Sequence, residues 1–136
     1  MTVRGSCLCR GVGYEIGGPV GKAAYCHCSV CRKWSGSALL GYAAAPREQF
    51  RWTQGEELLG RFPSSERVLR VFCTRCGSAI AAWPTNPAVE SVWVMMGTLD
   101  DDPGVRPELH IFTGSKAPWF EMTDDLPWHQ EHPARA

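Results

Sequence analysis

The sequence predicts a small, mainly β domain held together by metal-binding cysteines, and three observations support this prediction. Short apolar segments with alternating or β-branched residues recur along the chain, and Gly and Pro interrupt them before a helical period can develop. Seven cysteines fall into three tight clusters. The 136 residues are enough for one domain with a modest core, a size at which a bound metal adds usefully to stability. We therefore expect a single, mainly antiparallel β domain over residues 1–136.

The first five predicted strands are short and end at turn-forming residues. The segment 11–16 alternates apolar and other residues and stops at Gly17-Gly18-Pro19. The segment 38–43 is a continuous apolar run, whereas 58–62 stops before Pro63-Ser64-Ser65. In chain order, the five segments are 11–16, 23–25, 38–43, 50–52 and 58–62.

Three further strands follow, and two of them flank a cysteine pair. Segments 68–72 and 79–83 lie on either side of Cys73–Cys76, which predicts strand, turn and strand, and Gly77 supplies a residue that accepts positive φ after the turn. The segment 91–96 is the strongest predicted strand because it is rich in β-branched and aromatic residues. The polar, Pro-interrupted residues 124–136 are expected to form a loose tail.

Composition excludes several classes of function. The formal net charge is zero and the pI is about 6.9, so the basic excess typical of nucleic-acid binding is missing. No apolar run reaches the length of a membrane span. Residues 1–16 lack the apolar core of a signal peptide, which predicts a cytoplasmic protein with reduced thiols. The abundant tryptophans fit a monomer or a homodimer equally well.

The cysteine spacing indicates metal binding. The clusters span Cys7–Cys9, Cys26–Cys31 and Cys73–Cys76, and an odd number of cysteines cannot pair completely within one chain. Cysteines one or two residues apart also bridge poorly, whereas thiolates on a tight turn converge well on a soft divalent ion. Four thiolates make a closed zinc site and three leave an open position. Seven cysteines therefore predict two zinc ions, one structural and one that does chemistry.

Spacing alone does not decide which cysteines share a metal. A closed zinc site at Cys73 and Cys76 needs a second pair of cysteines as ligands. Cys28/Cys31 would give a zinc ribbon of two C-x-x-C turns, while Cys7/Cys9 would leave Cys26, Cys28 and Cys31 together on one loop. The spacing slightly favours the ribbon.

A family resemblance favours the second arrangement. The sequence closely resembles the glutathione-dependent formaldehyde-activating enzymes, a family that also includes proteins similar to centromere protein V. The resemblance extends from about residue 6 to 119. It is carried by Gly5-Ser-Cys-Leu-Cys9, Val12-Gly-Tyr-Glu15, Cys26-His-Cys-Ser-Val-Cys-Arg-Lys33 with Ser35-Gly36, Phe72-Cys-Thr-Arg-Cys-Gly-Ser78, and more weakly by His110-Ile-Phe and Ser115-Lys116.

The resemblance implies an antiparallel β-tent fold, two zinc ions and a reaction. By that likeness, the structural zinc is held by Cys7, Cys9, Cys73 and Cys76. The catalytic zinc is held by Cys26, Cys28 and Cys31. The implied activity is that of a carbon–sulfur lyase or synthase, which forms S-(hydroxymethyl)glutathione from glutathione and formaldehyde or handles a related thiol–aldehyde adduct. Its partners are then a small thiol and an aldehyde.

Four residues after the second cluster are candidate substrate contacts. Arg32 and Lys33 have the charge to pair with the carboxylates of glutathione, or they form a solvated basic turn. Ser35 and Gly36 have backbone donors for a peptide-like substrate, or they form a plain turn.

Two histidines and two other functions complete the predictions. His27 lies between two cysteines and is expected to be a surface spacer rather than a fourth ligand or a proton shuttle, and His110 is expected to be a hydrogen-bonded structural residue. The alternative to an enzyme is a zinc module that binds a protein or another macromolecule, but the chain lacks the basic or low-complexity extension that would favour this. A redox role for Cys73/Cys76 is disfavoured because redox C-x-x-C pairs usually open a helix.

Overall fold

Ten strands form two sheets in a computed structural model, which describes residues 1–133. The smaller sheet has the order β1-β2-β5 and the larger has the order β10-β3-β4-β9-β8-β7-β6. The elements are β1 (Thr2–Ser6), β2 (Gly13–Gly17), β3 (Ala23–Cys26), α1 (Ser29–Ser35), β4 (Leu40–Pro46), β5 (Phe50–Gln54), β6 (Leu59–Pro63), β7 (Val68–Cys73), β8 (Ala79–Pro84), β9 (Ser91–Met95) and β10 (Pro107–Ile111), with single-turn 3₁₀ helices between some of them.

The prediction of a mainly β, antiparallel single domain is confirmed. All eight predicted strands are present, as β2 to β9, and the turn between β7 and β8 carries Cys73–Cys76 with Gly77 at a φ of 81°. Sequence reasoning missed three elements, namely β1, α1 and β10. β10 also pairs parallel to β3, whereas the other strand pairs of the described residues are antiparallel.

The main core joins the two sheets. Val3, Tyr14 and Ile16 of the smaller sheet are buried in one cluster with Ile80 and Val92 of the larger sheet. Burial of such side chains stabilises the fold by about 1.5–3 kcal/mol each. Cys7 and Cys73 belong to the same cluster, so the N-terminal and C-x-x-C cysteines lie at the boundary between the sheets.

The chain end differs from the loose tail expected after Asp124. The backbone N–H of His110 donates to Pro127 O at 2.9 Å, and that of His129 donates to His110 O at 3.0 Å. The N–H of Thr113 donates to His129 O at 3.0 Å. Residues 127–131 therefore run along the end of β10, while 134–136 lie outside the described residues. No helix in the described part of the chain is long and apolar enough to cross a membrane.

Candidate metal centres and substrate cavity

Cys7, Cys9, Cys73 and Cys76 form one cluster whose sulfur atoms all lie within 4.8 Å of one another. Cys7 Sγ and Cys9 Sγ are 3.5 Å apart, and Cys9 Sγ and Cys73 Sγ are 3.8 Å apart. A tetrahedral zinc site with Zn–S bonds of about 2.3 Å has sulfur–sulfur edges of roughly 3.8 Å, and a disulfide bond would be only about 2.0 Å long. The four thiols therefore fit a closed zinc site.

Hydrogen-bond donors surround the sulfurs of this cluster. The backbone N–H of Val12 donates to Cys7 Sγ at 3.3 Å, and Arg75 Nε donates to Cys9 Sγ at 3.3 Å. The pKa of Cys9 is lowered by the Gly11 N–H and by Arg75, and the Ser78 hydroxyl lowers the pKa of Cys76 to about 5. Burial raises the pKa of Cys7 to about 11. Donors aimed at sulfur favour the thiolate form, which is the form that binds metal.

The second cluster contains Cys26, Cys28 and Cys31, again with all sulfurs within 4.8 Å. Cys26 ends β3, Cys28 caps the N-terminus of α1, and Cys31 is buried in the first turn of that helix. Cys28 Sγ accepts the N–H of Cys31 at 3.3 Å, so the start of the helix itself orients the sulfur. Three thiols on one strand end and one helical turn fit a zinc site with a fourth position open.

Negative charge in the second cluster concentrates on Cys28. Hydrogen bonds from the thiols of Cys26 and Cys31 lower the pKa of Cys28 to about 2, and the same sharing raises the pKa of Cys26. Arg70 adds a favourable charge, because its Nη1 lies 3.9 Å from Cys31 Sγ. These contacts favour the thiolate form of Cys28 over that of Cys26.

Arg70 is held in place from two sides. Its Nε donates to Ser64 Oγ at 3.0 Å, and its guanidinium carbon lies 5.3 Å from the centre of the Trp34 ring of α1. Such stacking stabilises a cation by about 0.5–1 kcal/mol at a half-exposed site. Sequence reasoning missed this residue, although an arginine in the middle of the apolar strand Val68–Cys73 was a usable signal.

A cavity of about 450 Å³ opens beside the three-cysteine cluster. Its volume is typical of small-molecule sites. Trp93 of β9 forms part of its wall. The lining residues are Cys26, Cys28, Val30, Cys31, Leu40, Tyr42, Ser64, Ser65, Val68, Arg70, Ala82, Trp93, Met95, Ile111, Phe112 and His132.

None of the four predicted substrate contacts lines this cavity. Ser35 Oγ donates to Cys31 O at 2.7 Å, and Gly36 ends α1 with a φ of 68° while its N–H donates to Arg32 O. Lys33 is exposed. Arg32, Lys33, Ser35 and Gly36 therefore form and end the helix, and Arg70 is an arginine that the fold brings to the three-cysteine cluster.

His27 is not the surface spacer expected from its position, because its exposed fraction is 0%. Its Nε2 lies 2.7 Å from Nδ1 of His110, whose Nε2 lies 2.9 Å from a carboxylate oxygen of Asp124. Burial lowers the pKa of His27 and so favours the neutral ring. It is also not one of the groups that converge with the three sulfurs. The prediction that His110 is a hydrogen-bonded structural histidine is confirmed.

Comparison with known proteins covers the residues of both cysteine clusters. The family model described as "Glutathione-dependent formaldehyde-activating enzyme" matches residues 2–115, which include all seven cysteines. The chain belongs to this family. The match ends before the segment that runs along β10. Asp124, the last residue in the hydrogen-bonded series of His27, His110 and Asp124, therefore lies outside the part that the family model describes.

Individual relatives of this family member are distant. An uncharacterised lyase of Schizosaccharomyces pombe is 27% identical over 96 residues, which cover 68% of each chain. A Halomonas elongata protein, provisionally named a glutathione-dependent formaldehyde-activating enzyme, is 28% identical over 90% of this chain and 82% of its own. A Colletotrichum graminicola protein with the same provisional name is 37% identical over 56% of this chain and 40% of its own.

A solved structure shares the fold. The crystal structure of a Rhodobacter sphaeroides protein matches with a TM-score of 0.60 and 24% identity, covering 93% of this chain and 99% of the other. Nearly the whole of both chains therefore follows one architecture.

Proposed function

We propose that this protein is a zinc-dependent carbon–sulfur lyase or synthase that interconverts a thiol and an aldehyde with their adduct. S-(hydroxymethyl)glutathione, formed from glutathione and formaldehyde, is the adduct to which the family description points. In this proposal the protein binds two zinc ions, a structural ion at Cys7, Cys9, Cys73 and Cys76 and a catalytic ion at Cys26, Cys28 and Cys31.

The observation that carries the proposal is the difference between the two clusters. The four-thiol cluster is complete, whereas the three-thiol cluster lies at the wall of a cavity large enough for a small molecule. A zinc ion held there by three thiolates would supply a cation with one open position, which lowers the pKa of an incoming thiol.

The chain's own residues then support the reaction. The substrate sulfur attacks the carbonyl carbon, the S–C bond forms, and the π electron pair of the C=O bond moves to oxygen. The oxygen takes up one proton and the thiol gives one up, so no oxidant or reductant is needed. Arg70 offsets the negative charge that three thiolates and a substrate thiolate bring together, and the apolar wall limits access of water.

The test is NMR exchange spectroscopy on equilibrated glutathione and formaldehyde with the zinc-loaded protein. We expect faster interconversion of free glutathione and its hydroxymethyl adduct. In Cys28→Ser the rate should return to the uncatalysed value, while the melting curve is unchanged. Asp125→Asn, an exposed change outside the cavity, is the control and should keep the wild-type rate.

Two outcomes would contradict the proposal. No acceleration with two zinc ions confirmed per chain would move the function to a zinc-dependent binding module. A wild-type rate in Cys28→Ser would mean that the reaction takes place elsewhere.

A further inference from the structure

The cavity beside the three-cysteine cluster has far more apolar wall than formaldehyde can use. Among residues 1–133, no Asp or Glu lines it, and Arg70 is its one arginine or lysine. The apolar part of the wall consists of Val30, Leu40, Tyr42, Val68, Ala82, Trp93, Met95, Ile111 and Phe112. Formaldehyde has one carbon atom and gains almost nothing from such a surface, because apolar burial scales with area.

Strand register explains why this wall is continuous. Cys26 pairs with Leu40 on one side and with Ile111 on the other. In the neighbouring rows Tyr42 pairs with Met95, while Trp93 and Arg70 both pair with Ala82. Paired residues point to the same face of a sheet, so the apolar rows extend from the cluster across one face of the larger sheet as far as Arg70.

We propose that the aldehyde handled at this site carries an apolar chain of several carbons, so that the adduct is the hemithioacetal of an apolar aldehyde. This inference rests on the proposed function. The alkyl chain of the aldehyde lies along the part of the wall formed by Met95, Trp93 and Val68, and the charged ends of the thiol stay near Arg70 or in solvent. Each methylene that leaves water for this wall should improve affinity about fourfold.

The chemical step is unchanged by the longer chain. The S–C bond forms between the thiol sulfur and the aldehyde carbon, the C=O π pair moves to oxygen, and the proton lost from sulfur is matched by the proton gained by oxygen. Only the alkyl group on the carbon differs, and it does not react.

A binding series tests the inference without turnover. S-methyl-, S-propyl- and S-hexylglutathione are stable thioethers that present increasing chain length on the same sulfur. Isothermal titration of the zinc-loaded protein should give a Kd that falls about fourfold for each methylene that enters the cavity. A Kd that does not change from S-methyl to S-hexyl would overturn the inference.

A matched pair of variants tests where the alkyl chain of the ligand binds. Val68→Thr keeps the volume of a cavity residue and replaces a methyl group with a hydroxyl, whereas Val89→Thr makes the same change at another half-buried position outside the cavity. Val68→Thr should weaken S-hexylglutathione severalfold and leave S-methylglutathione nearly unchanged. Equal effects of the two variants on the affinity for S-hexylglutathione would place the alkyl chain outside this cavity and contradict the inference.

Exchange spectroscopy with different aldehydes separates this inference from the proposed function. Greater acceleration with butanal or hexanal than with formaldehyde supports both. Acceleration with formaldehyde alone overturns the apolar aldehyde and leaves the proposed function standing. No acceleration with any aldehyde overturns both.

Discussion

At the scale of single residues, the direction of the hydrogen bonds in the buried histidine pair follows from its carboxylate end. Because an ionised carboxylate only accepts, His110 Nε2–H donates to Asp124. In a neutral His110 ring, Nδ1 then accepts from His27 Nε2–H, which leaves His27 Nδ1 as a buried nitrogen without a partner among the described residues. These hydrogen bonds fix the orientation of His27, which lies between Cys26 and Cys28, and so position the loop that carries both sulfurs.

We expect Asp124→Asn to weaken this arrangement. The hydrogen bond from His110 lowers the pKa of Asp124, so its stabilising effect is present at neutral pH and is lost as the pH falls from about 3.8 through the folded-state pKa. Since Asp124 is 43% exposed, solvent screens the interaction, and the variant should lose only a small part of the unfolding free energy at pH 7. Chemical denaturation measures this loss.

Asp125→Asn is the matched control because Asp125 is the adjacent exposed aspartate. Equal stability of the two variants would contradict a positioning role for the hydrogen bonds that link His27, His110 and Asp124. The imidazole N–H signals of His27 and His110 give a second readout, and they should broaden through exchange with solvent only in Asp124→Asn.

Arg70 is the second residue whose role can be tested by itself. Its guanidinium lies beside Cys31 and has no carboxylate partner among the described residues, so its charge is available to a thiolate substrate. Arg70→Gln should raise the KM for the thiol about tenfold, which corresponds to the loss of one charge-assisted hydrogen bond. Exchange rates measured against glutathione concentration give this value. Arg67→Gln, an exposed arginine outside the cavity, should behave as wild type, and the same KM in both variants would exclude Arg70 from substrate binding.

At the scale of elements, α1 is a seven-residue helix that begins at the three-cysteine cluster and ends at a glycine. Cys28 caps its N-terminus with a sulfur atom, and Gly36 ends it in the left-handed region. One short element therefore sets two of the three sulfurs and, through Trp34, one face of Arg70. The helix is too short to show a period in the sequence, which is why spacing predicted its cysteines and not its conformation.

We expect Gly36→Ala to affect stability and not substrate binding. A Cβ at this position meets no atom within 4 Å, so the cost comes from the positive φ of 68° alone and should be about 1 kcal/mol. Gly97→Ala is the control, because it also has open space around its Cβ but no positive φ. Thermal melts should show a loss only for Gly36→Ala, and a raised KM for glutathione in this variant would return Gly36 to the substrate site.

Most of the strands, but not all, could be predicted from sequence patterns. β2 to β9 each carry an apolar or alternating segment bounded by turn residues, and all were predictable. β1, Thr-Val-Arg-Gly-Ser, is too polar for that signal, and β10 is defined by parallel pairing with β3 across more than eighty residues. The cysteine clusters followed from local spacing. The cavity wall did not, because its residues come from β3, α1, β4, β7, β8, β9, β10 and the loops near them, and become neighbours only in the folded sheet.

At the scale of the whole molecule, the four-cysteine cluster joins the two sheets. Cys7 follows β1 of the smaller sheet, and Cys73 ends β7 of the larger sheet. A metal bound there closes a loop of more than sixty residues, which removes conformational freedom from the unfolded chain. The three-cysteine cluster is different, because β3 and α1 are adjacent in sequence and both lie on the larger sheet's side of the fold.

This difference predicts that loss of a cysteine destabilises the fold at the four-cysteine cluster and not at the three-cysteine cluster. Zinc binding contributes on the order of 10 kcal/mol to folding in small zinc peptides, a value comparable to the whole stability of a domain of this size. Cys73→Ala should therefore lower the melting temperature sharply and broaden the circular-dichroism transition, and excess chelator should do the same to the wild type. Cys28→Ser should melt like the wild type while losing one of two zinc ions. Cys73 is also a core residue, so a small loss alone would reflect its packing. An unchanged melting curve for Cys73→Ala would remove the structural role from this cluster, and a collapse of Cys28→Ser would mean that both metals hold the fold.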